Sequence, residues 1–275
     1  MADETVDIVI PLYNQIDYTR RCLSTLRGET DGPFRLILVD NGSTDGTVEY
    51  LGCVRDAVVV TNGRNAGVAA AWNQGLSLSK GRWIVVLNND TVLPAGWLRR
   101  LVGFCARENV QVASPSMREG ELNYDLEKYA GEFVRAMEAR RRMGVADGAC
   151  FVVDRQVIGK IGVFDERFHP ASYEDSDFFR RAKNAGFRLA VTGASFIHHF
   201  GFATQKRLPA DEEGADHRLR NREYYCDKWG LAHPDGNWLE KRKSRILGFY
   251  RRKAERILTG HSVKEKWIGG RIVYR

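Results

Sequence analysis

Four short polar segments carry the residues best suited to holding a ligand. They are Pro11-Leu12-Tyr13-Asn14, Asp40-Asn41-Gly42-Ser43-Thr44-Asp45, Asn62-Gly63-Arg64-Asn65-Ala66-Gly67 and Asn88-Asn89-Asp90. Any one of them is ordinary turn chemistry, because Asn, Asp and Gly favour turns and Ser, Thr or Asp cap helices. Four together, each directly after an apolar run, fit a ligand with many hydroxyl and phosphate groups. No G-x-G-x-x-G follows the first apolar run, and no G-x-x-x-x-G-K-[ST] occurs. Phosphate is therefore not cradled by a glycine loop of those kinds. Its counter-charge must come from elsewhere, and a divalent cation held by oxygen ligands is the expected source. A fifth segment, Glu174-Asp175-Ser176-Asp177, gathers carboxylates where a helix-like stretch begins, a position that favours negative charge.

The elements that must position these residues alternate. Apolar, β-branched runs at 6–12, 34–39, 57–61, 83–87 and 110–114 read as strands. Between them, 17–26, 45–51, 67–78 and 96–107 carry helical spacing. Strands separated by helices imply βαβ units and a mostly parallel sheet in an α/β fold. In such sheets ligands bind beyond the carboxyl ends of the strands, where the polar segments lie. Residues 116–145 are charge-rich without a clean period and read as loop and helix near a site. Further strands are expected at 149–153, 187–192 and 195–198, a helix at 172–184, and basic helices from about residue 211. The expected division is a nucleotide-binding domain over 1–210 and a helical basic extension over 211–275.

In order and spacing, these segments resemble the family 2 glycosyltransferases with the GT-A fold. The likeness covers about residues 5–200. It is carried by Val9-Ile10-Pro11-Leu12-Tyr13-Asn14, by Val39-Asp40-Asn41-Gly42-Ser43-Thr44-Asp45-Gly46-Thr47, by Asn65-Ala66-Gly67 and by Asn73-Gln74-Gly75. It continues through Leu87-Asn88-Asn89-Asp90, Gly162-Val163-Phe164-Asp165-Glu166, Tyr173-Glu174-Asp175-Ser176-Asp177 and Ile197-His198-His199. The pattern looks closest to the bacterial rhamnosyltransferase-like branch that builds surface polysaccharides of the cell envelope. The resemblance implies an inverting transfer from a UDP- or dTDP-sugar, dTDP-rhamnose among them, to a hydroxyl of a glycan or lipid-linked acceptor.

The resemblance also implies roles. Pro11, Tyr13 and Asn14 would line the nucleotide pocket, with Tyr13 on the base and Asp40 accepting from a pyrimidine N–H. Asn41, Ser43, Asn65, Gly67 and Asn73 would serve the ribose and phosphate side. The family's D-x-D motif corresponds to Asn88-Asn89-Asp90, so an amide stands where the first carboxylate is expected. Asp90 would remain as the charged ligand of Mn2+ or Mg2+. One of the adjacent histidines, His198 in preference to His199, would be the distant second ligand. Asp175 would be the general base, kept ionised by the helix N-terminus, with Glu174 orienting the acceptor. Gly148 would permit close approach of donor or acceptor, and Asp147 could contact either. Trp72, Trp83 and Trp97 read as core.

Composition bounds the rest. The chain has 275 residues and a formal charge of +7. Residues 241–275 hold twelve Lys or Arg. That run is either a solvated helical face or a surface for an anionic membrane or a phosphate-bearing acceptor. No nucleic-acid motif accompanies it. The five cysteines are widely spaced and form no C-x-x-C, which fits reduced, buried thiols. No apolar run approaches a membrane span and the acidic start lacks signal-peptide character, so a cytoplasmic chain is expected, peripheral at the membrane at most. A catalytically silent nucleotide- or glycan-binding module is the competing reading, favoured by Asn88. A sugar-nucleotide pyrophosphorylase would need a glycine-rich basic loop after the first strand, which Pro11-Leu12-Tyr13-Asn14 is not.

Overall fold

Alternate residues of the apolar runs feed opposite faces of one sheet. In β1 (Val6–Leu12), Ile8, Ile10 and Leu12 pack into one hydrophobic cluster and Val9 into the other. In β4 (Trp83–Leu87), Val85 and Leu87 join the first cluster, Ile84 and Val86 the second. Both strands are buried on both sides, as central strands of an α/β sheet are. The structure, a computed structural model, describes residues 5–201, 217–231, 238–268 and 271–272.

Helices cover both faces. Leu23 and Leu26 of α1 (Ile16–Glu29) lie on the first cluster, followed in the chain by β2 (Phe34–Asp40), α2 (Thr47–Gly52) and β3 (Ala57–Thr61). Trp72 and Leu76 of α3 (Val68–Leu78) cover the opposite face. After the short β5 (Thr91–Val92), α4 (Trp97–Glu108) buries Trp97, Leu101 and Phe104 along one stripe of the first cluster. Trp72, Trp83 and Trp97 are thus core residues.

The second half of the chain is more regular than its charge suggested. Strand β6 (Val112–Glu119) runs past the expected end. Helix α5 (Leu126–Met137) follows, opened by Asp125, whose carboxylate accepts from the Lys128 N–H at 3.0 Å. Then come β7 (Arg141–Met143), β8 (Cys150–Asp154), α6 (Arg155–Ile161) and α7 (Glu174–Asn184). The two strands expected around Gly193 are one, β9 (Leu189–His199), with a register shift opposite Pro115 and Ser116. Helices α8 (His217–Lys228) and α9 (Trp238–Thr259) precede β10 (Lys264–Ile268) and β11 (Arg271–Ile272).

The strand order is β11-β10-β6-β8-β4-β1-β2-β3, with β9 beside β6 and carrying β5 and β7. The half from β4 to β3 is parallel. Beyond it β8 inserts antiparallel between β4 and β6, making the sheet as a whole mixed. The chain end corrects one expectation. It is not a purely helical appendage, because β10 pairs in parallel with β6 and puts Lys264 opposite Met117. Arg118 of β6 fastens it, stacking on the rings of Tyr124, Tyr129 and Trp267 at 4.1, 4.7 and 4.1 Å. The expected boundary at residue 210 lies outside the described residues. Cys22, Cys105, Cys150 and Cys226 are buried free thiols, whereas Cys53 is exposed. Among the described residues no helix is long and apolar enough to cross a membrane.

Candidate active site

The carboxyl ends of β1, β2, β4, β6 and β9 converge on one cavity of about 530 Å³. Its lining includes Pro11, Tyr13, Asn41 and Asn65 from the first loops and Asn88, Asn89 and Asp90 from the end of β4. Gly148, Glu174 and Asp175 close it from the β8 and α7 side. Ten residues expected at a site from sequence are therefore neighbours in space.

The amide-rich loops are bonded largely to each other. Asn41 donates from Nδ2 to Asn65 Oδ1 at 2.8 Å and to the Gly67 carbonyl at 3.1 Å. Its Oδ1 accepts from Asn62 and from the Ala66 N–H. The Asn14 N–H donates to Ser43 Oγ at 2.7 Å, and Asn14 Oδ1 accepts from the Thr44 N–H at 2.8 Å. Asn14 and Ser43 thus clasp two loops and do not line the cavity. Gly67 has φ +88°, and a Cβ there would meet His169 at 2.8 Å, so this glycine lets the β3–α3 turn pack against the 169–170 segment. Asn73 lies away from the cavity and holds the Phe164 backbone, donating to its carbonyl at 3.0 Å and accepting from its N–H at 2.9 Å. Asp40 is fully buried and is not among the residues that line the cavity. Its Oδ2 accepts from the N–H groups of Gly42 and Ser43, while Oδ1 has no hydrogen-bond partner among the described residues. A buried acceptor left open is suited to a ligand N–H.

Strand alternation places His199, and not the preferred His198, beside Asp90. Thr91 pairs with His199 and Val92 with His198 across β5 and β9. His199 therefore faces the cavity and His198 the other side. His199 Nε2 lies 3.2 Å from Asp90 Oδ1, and its Nδ1 lies 3.5 Å from Glu119 Oε1. Burial would lower the His199 pKa, but Asp90 and Glu119 raise it to about 10. His198 sits 2.9 Å from the Tyr124 hydroxyl and edge-on to Phe200; burial and the neighbouring His199 lower its pKa to about 4.

Glu119 and Lys264 are cavity residues that the sequence did not disclose. Lys264 Nζ is 2.6 Å from Asp147 Oδ2 and 3.3 Å from Glu119 Oε1. Burial opposes its charge, yet the two carboxylates push its pKa up. Burial likewise works against the Glu119 anion, but His199, Lys264 and Lys266 bring its pKa down to about 2. The period-2 run Val263-Lys264-Glu265-Lys266-Trp267 was the available signal for a strand here, hidden in a basic tail.

The acidic helix start divides in three. Asp177 is a brace, accepting from Arg181 at 2.8 Å, from Trp229 at 3.0 Å and from Lys228 at 2.7 Å. Glu174 lines the cavity at only 5% exposure, and its Oε2 has no hydrogen-bond partner among the described residues. Burial and then the Asp175 charge raise its pKa well above the usual range. Asp175 Oδ1 accepts from the Ser176 N–H at 2.6 Å. A Cβ on residue 148 would collide with Asp175 Oδ2, so only glycine fits beside it. Burial, then the charge of Asp147, raise the Asp175 pKa. The helix N-terminus does not hold this carboxyl low, as the sequence led one to expect.

Among the described residues no three His, Cys, Asp or Glu side chains form a closed metal cage. Asp90 and His199 nevertheless place a carboxylate and a buried ring nitrogen side by side, a nitrogen without a hydrogen-bond partner among the described residues that would serve a cation on giving up the proton its two carboxylate neighbours favour. Such a pair suits a cation that completes its shell with substrate phosphates and water.

The chain is similar to known proteins in both sequence and fold. It is 29% identical over 207 residues to the pre-mycofactocin glycosyltransferase of Mycobacterium tuberculosis, covering 70% of this chain and 42% of that one. It is 26% identical over 219 residues to glycosyltransferase AglE of Haloferax volcanii, covering 74% and 70%. The first curated relatives are longer, and the chain spans 27% and 42% of their lengths. The structure of GalNAc-T7 with UDP, GalNAc and Mn2+ superimposes with a TM-score of 0.62 at 14% identity, over 94% of this chain and 55% of that one. That likeness establishes the GT-A fold. Residues 7–162 match the family described as glycosyl transferase family 2, and the chain belongs to that family.

Proposed function

We propose that this protein transfers a sugar, with inversion, from a nucleoside-diphosphate sugar to a hydroxyl of a glycan or lipid-linked acceptor. The observation that carries the reading is that Asp175 and the Asp90–His199 pair open into the same cavity. Inversion at the anomeric carbon needs a carboxylate on the acceptor side to take the hydroxyl proton. Asp175 has that role, and its raised pKa brings its proton affinity closer to working pH than an exposed aspartate would have. Glu174 stands beside it, its proton affinity raised by burial and by Asp175, to orient the incoming hydroxyl group. Tyr13 and the open oxygen of Asp40 serve the base, and Asn65, Asn88 and Asn89 the ribose and phosphate side.

Asp90 and His199 would hold a divalent metal, Mn2+ or Mg2+, whose chemistry is to neutralise the diphosphate as it leaves. Mn2+ accompanies UDP in GalNAc-T7, and this chain shares that fold. Glu119 lies 3.5 Å from the far nitrogen of His199 and would orient its ring. Lys264 adds a fixed positive charge to the acidic wall. A UDP- or dTDP-sugar donor, dTDP-rhamnose included, and a role in bacterial surface polysaccharide synthesis at the cytoplasmic side of the membrane complete the reading.

Asn88 favours one rival, a module that binds nucleotide or glycan without turnover. Release of UDP or dTDP from a panel of nucleotide-sugars, with and without Mn2+ or Mg2+, decides between them. Tight metal-dependent nucleotide binding with no transfer or donor hydrolysis by the native protein would favour the silent module.

A further inference from the structure

The outer face of α9 has the form of a membrane-surface helix. Its inner face is tied to the body: Glu255 pairs with Arg142 at 2.5 Å, and Arg256 pairs with Glu265 of β10 at 3.0 Å. The outer face carries Ile246, Leu247, Tyr250, Ile257 and Leu258, exposed at 46, 72, 62, 75 and 76%. At 3.6 residues per turn these five and the exposed Ala254 fall within an arc of about 120°. Arg251 and Lys253, both exposed, lie about 20° beyond its two edges. Single exposed apolar residues are normal on a soluble surface, but five on one stripe of one helix form a patch.

We propose that this stripe docks on an anionic lipid bilayer, with Ile246, Leu247, Tyr250, Ile257 and Leu258 entering the acyl boundary and Arg251 and Lys253 meeting lipid phosphates. The apolar arc edged by cations is the pattern of a helix lying in the interface. Helix α9 does not span the bilayer, because Arg251, Arg252, Lys253, Glu255 and Arg256 interrupt it. A second copy is the poorer occupant: pairing two such stripes would bring their cationic borders together. Docking has a consequence for the cavity, one that rests on the proposed transfer reaction. Strand β10 follows α9 directly and carries Lys264 into the cavity wall, so a docked α9 would hold that wall near a lipid-linked acceptor.

The test is flotation of the full chain with vesicles of phosphatidylcholine alone or mixed with phosphatidylglycerol. The native protein should float with the mixed vesicles and stay behind with the neutral ones. Combined Leu247→Ser, Ile257→Ser and Leu258→Ser should cut binding at least about tenfold with an unchanged melting curve, since all three side chains are exposed. Arg251→Gln with Lys253→Gln should weaken binding and reduce its salt dependence. The idea fails if the native chain ignores both vesicles, or if the serine triple binds like the native chain. It fails equally if the native chain is a dimer that the triple dissolves. Release of UDP or dTDP from nucleotide-sugars, by transfer or by hydrolysis, is read in the same samples: absence of both with vesicle binding intact would sink the transfer reading and leave the docking standing.

Discussion

The two walls of the cavity hold their polar groups in different ways. The β1, β2 and β4 wall is built from amides and backbone N–H groups in loops that bond mainly to one another, as Asn41 does with Asn62, Asn65, Ala66 and Gly67. The β6, β9 and β10 wall, joined by Asp90 from the loop after β4, by Asp147 and by the α7 tip, is built from charges: Asp90, Glu119 and Asp147 against His199 and Lys264, with Glu174 and Asp175 alongside. A neutral scaffold can hold a ligand's hydroxyl groups at fixed geometry with little electrostatic cost. A charged wall stabilises only what carries charge, and its groups change one another's proton affinity. The contrast separates a surface suited to binding from one suited to reaction.

The sharpest way to break that contrast is to remove one charge from the reactive wall. Asp175→Asn should lower transfer by roughly 100- to 10,000-fold while nucleotide binding changes little, as measured by steady-state turnover and by titration calorimetry. A comparable loss of nucleotide affinity would instead make Asp175 part of the binding wall. The histidine pair gives the next largest effect. His199→Ala should weaken metal-dependent nucleotide affinity at least about tenfold, whereas His198→Phe should leave it within about twofold, because His198 meets Tyr124 and Phe200. Equal losses from both would mean that the β5–β9 register does not decide which histidine works.

The neutral wall was legible in the sequence because its signals are local. Asn41 and Asn88 follow their strands directly and Asn65 lies in the loop after β3, so strand assignment alone brought them to one edge. The charged wall depends on pairings between distant segments. Glu119, His199 and Lys264 meet only because β6 accepts β9 on one side and β10 on the other, and nothing in a local pattern states that register. Which of His198 and His199 faces the cavity was hidden for that reason: alternation guarantees opposite faces without saying which face is the cavity. Helix α5 is a different case. Its buried positions Ala130, Phe133, Val134 and Met137 do follow a helical period, but the charges between them mask it.

The charged wall also makes a pH prediction. As the proposed base, Asp175 would have to be ionised to accept a proton, so the rate should rise as pH rises through its pKa, and the raised pKa puts that limb above the usual aspartate range. The Asp147 charge raises that pKa and Lys264 lowers it. Asp147→Asn should therefore move the acid limb of kcat/KM to lower pH, and Lys264→Met should move it to higher pH. Shifts in the same direction from both variants would mean that rearrangement of the wall, and not its charge, governs Asp175.

Glu174 gives the smallest effect, one that separates fold stability from reaction. Its carboxyl is buried, one oxygen lacks a partner among the described residues, and its pKa in the fold lies above that in the unfolded chain. The folded state thus favours the neutral acid. The contribution to stability is fully present below the unfolded pKa, near 4.3 for a glutamate, and is lost as pH rises toward the folded value. At neutral pH the folded chain must either bind a proton from solvent or bury a charge, and both cost stability. Glu174→Gln keeps the shape and the neutral form without that cost. It should raise unfolding stability at pH 7 by about 1 kcal/mol, with the difference vanishing near pH 4, as followed by denaturant titration at the two pH values. If the glutamine variant is less stable at pH 7, the carboxylate is ionised in the fold. Glu174 would then belong with Asp90 and Asp147 among the paired charges.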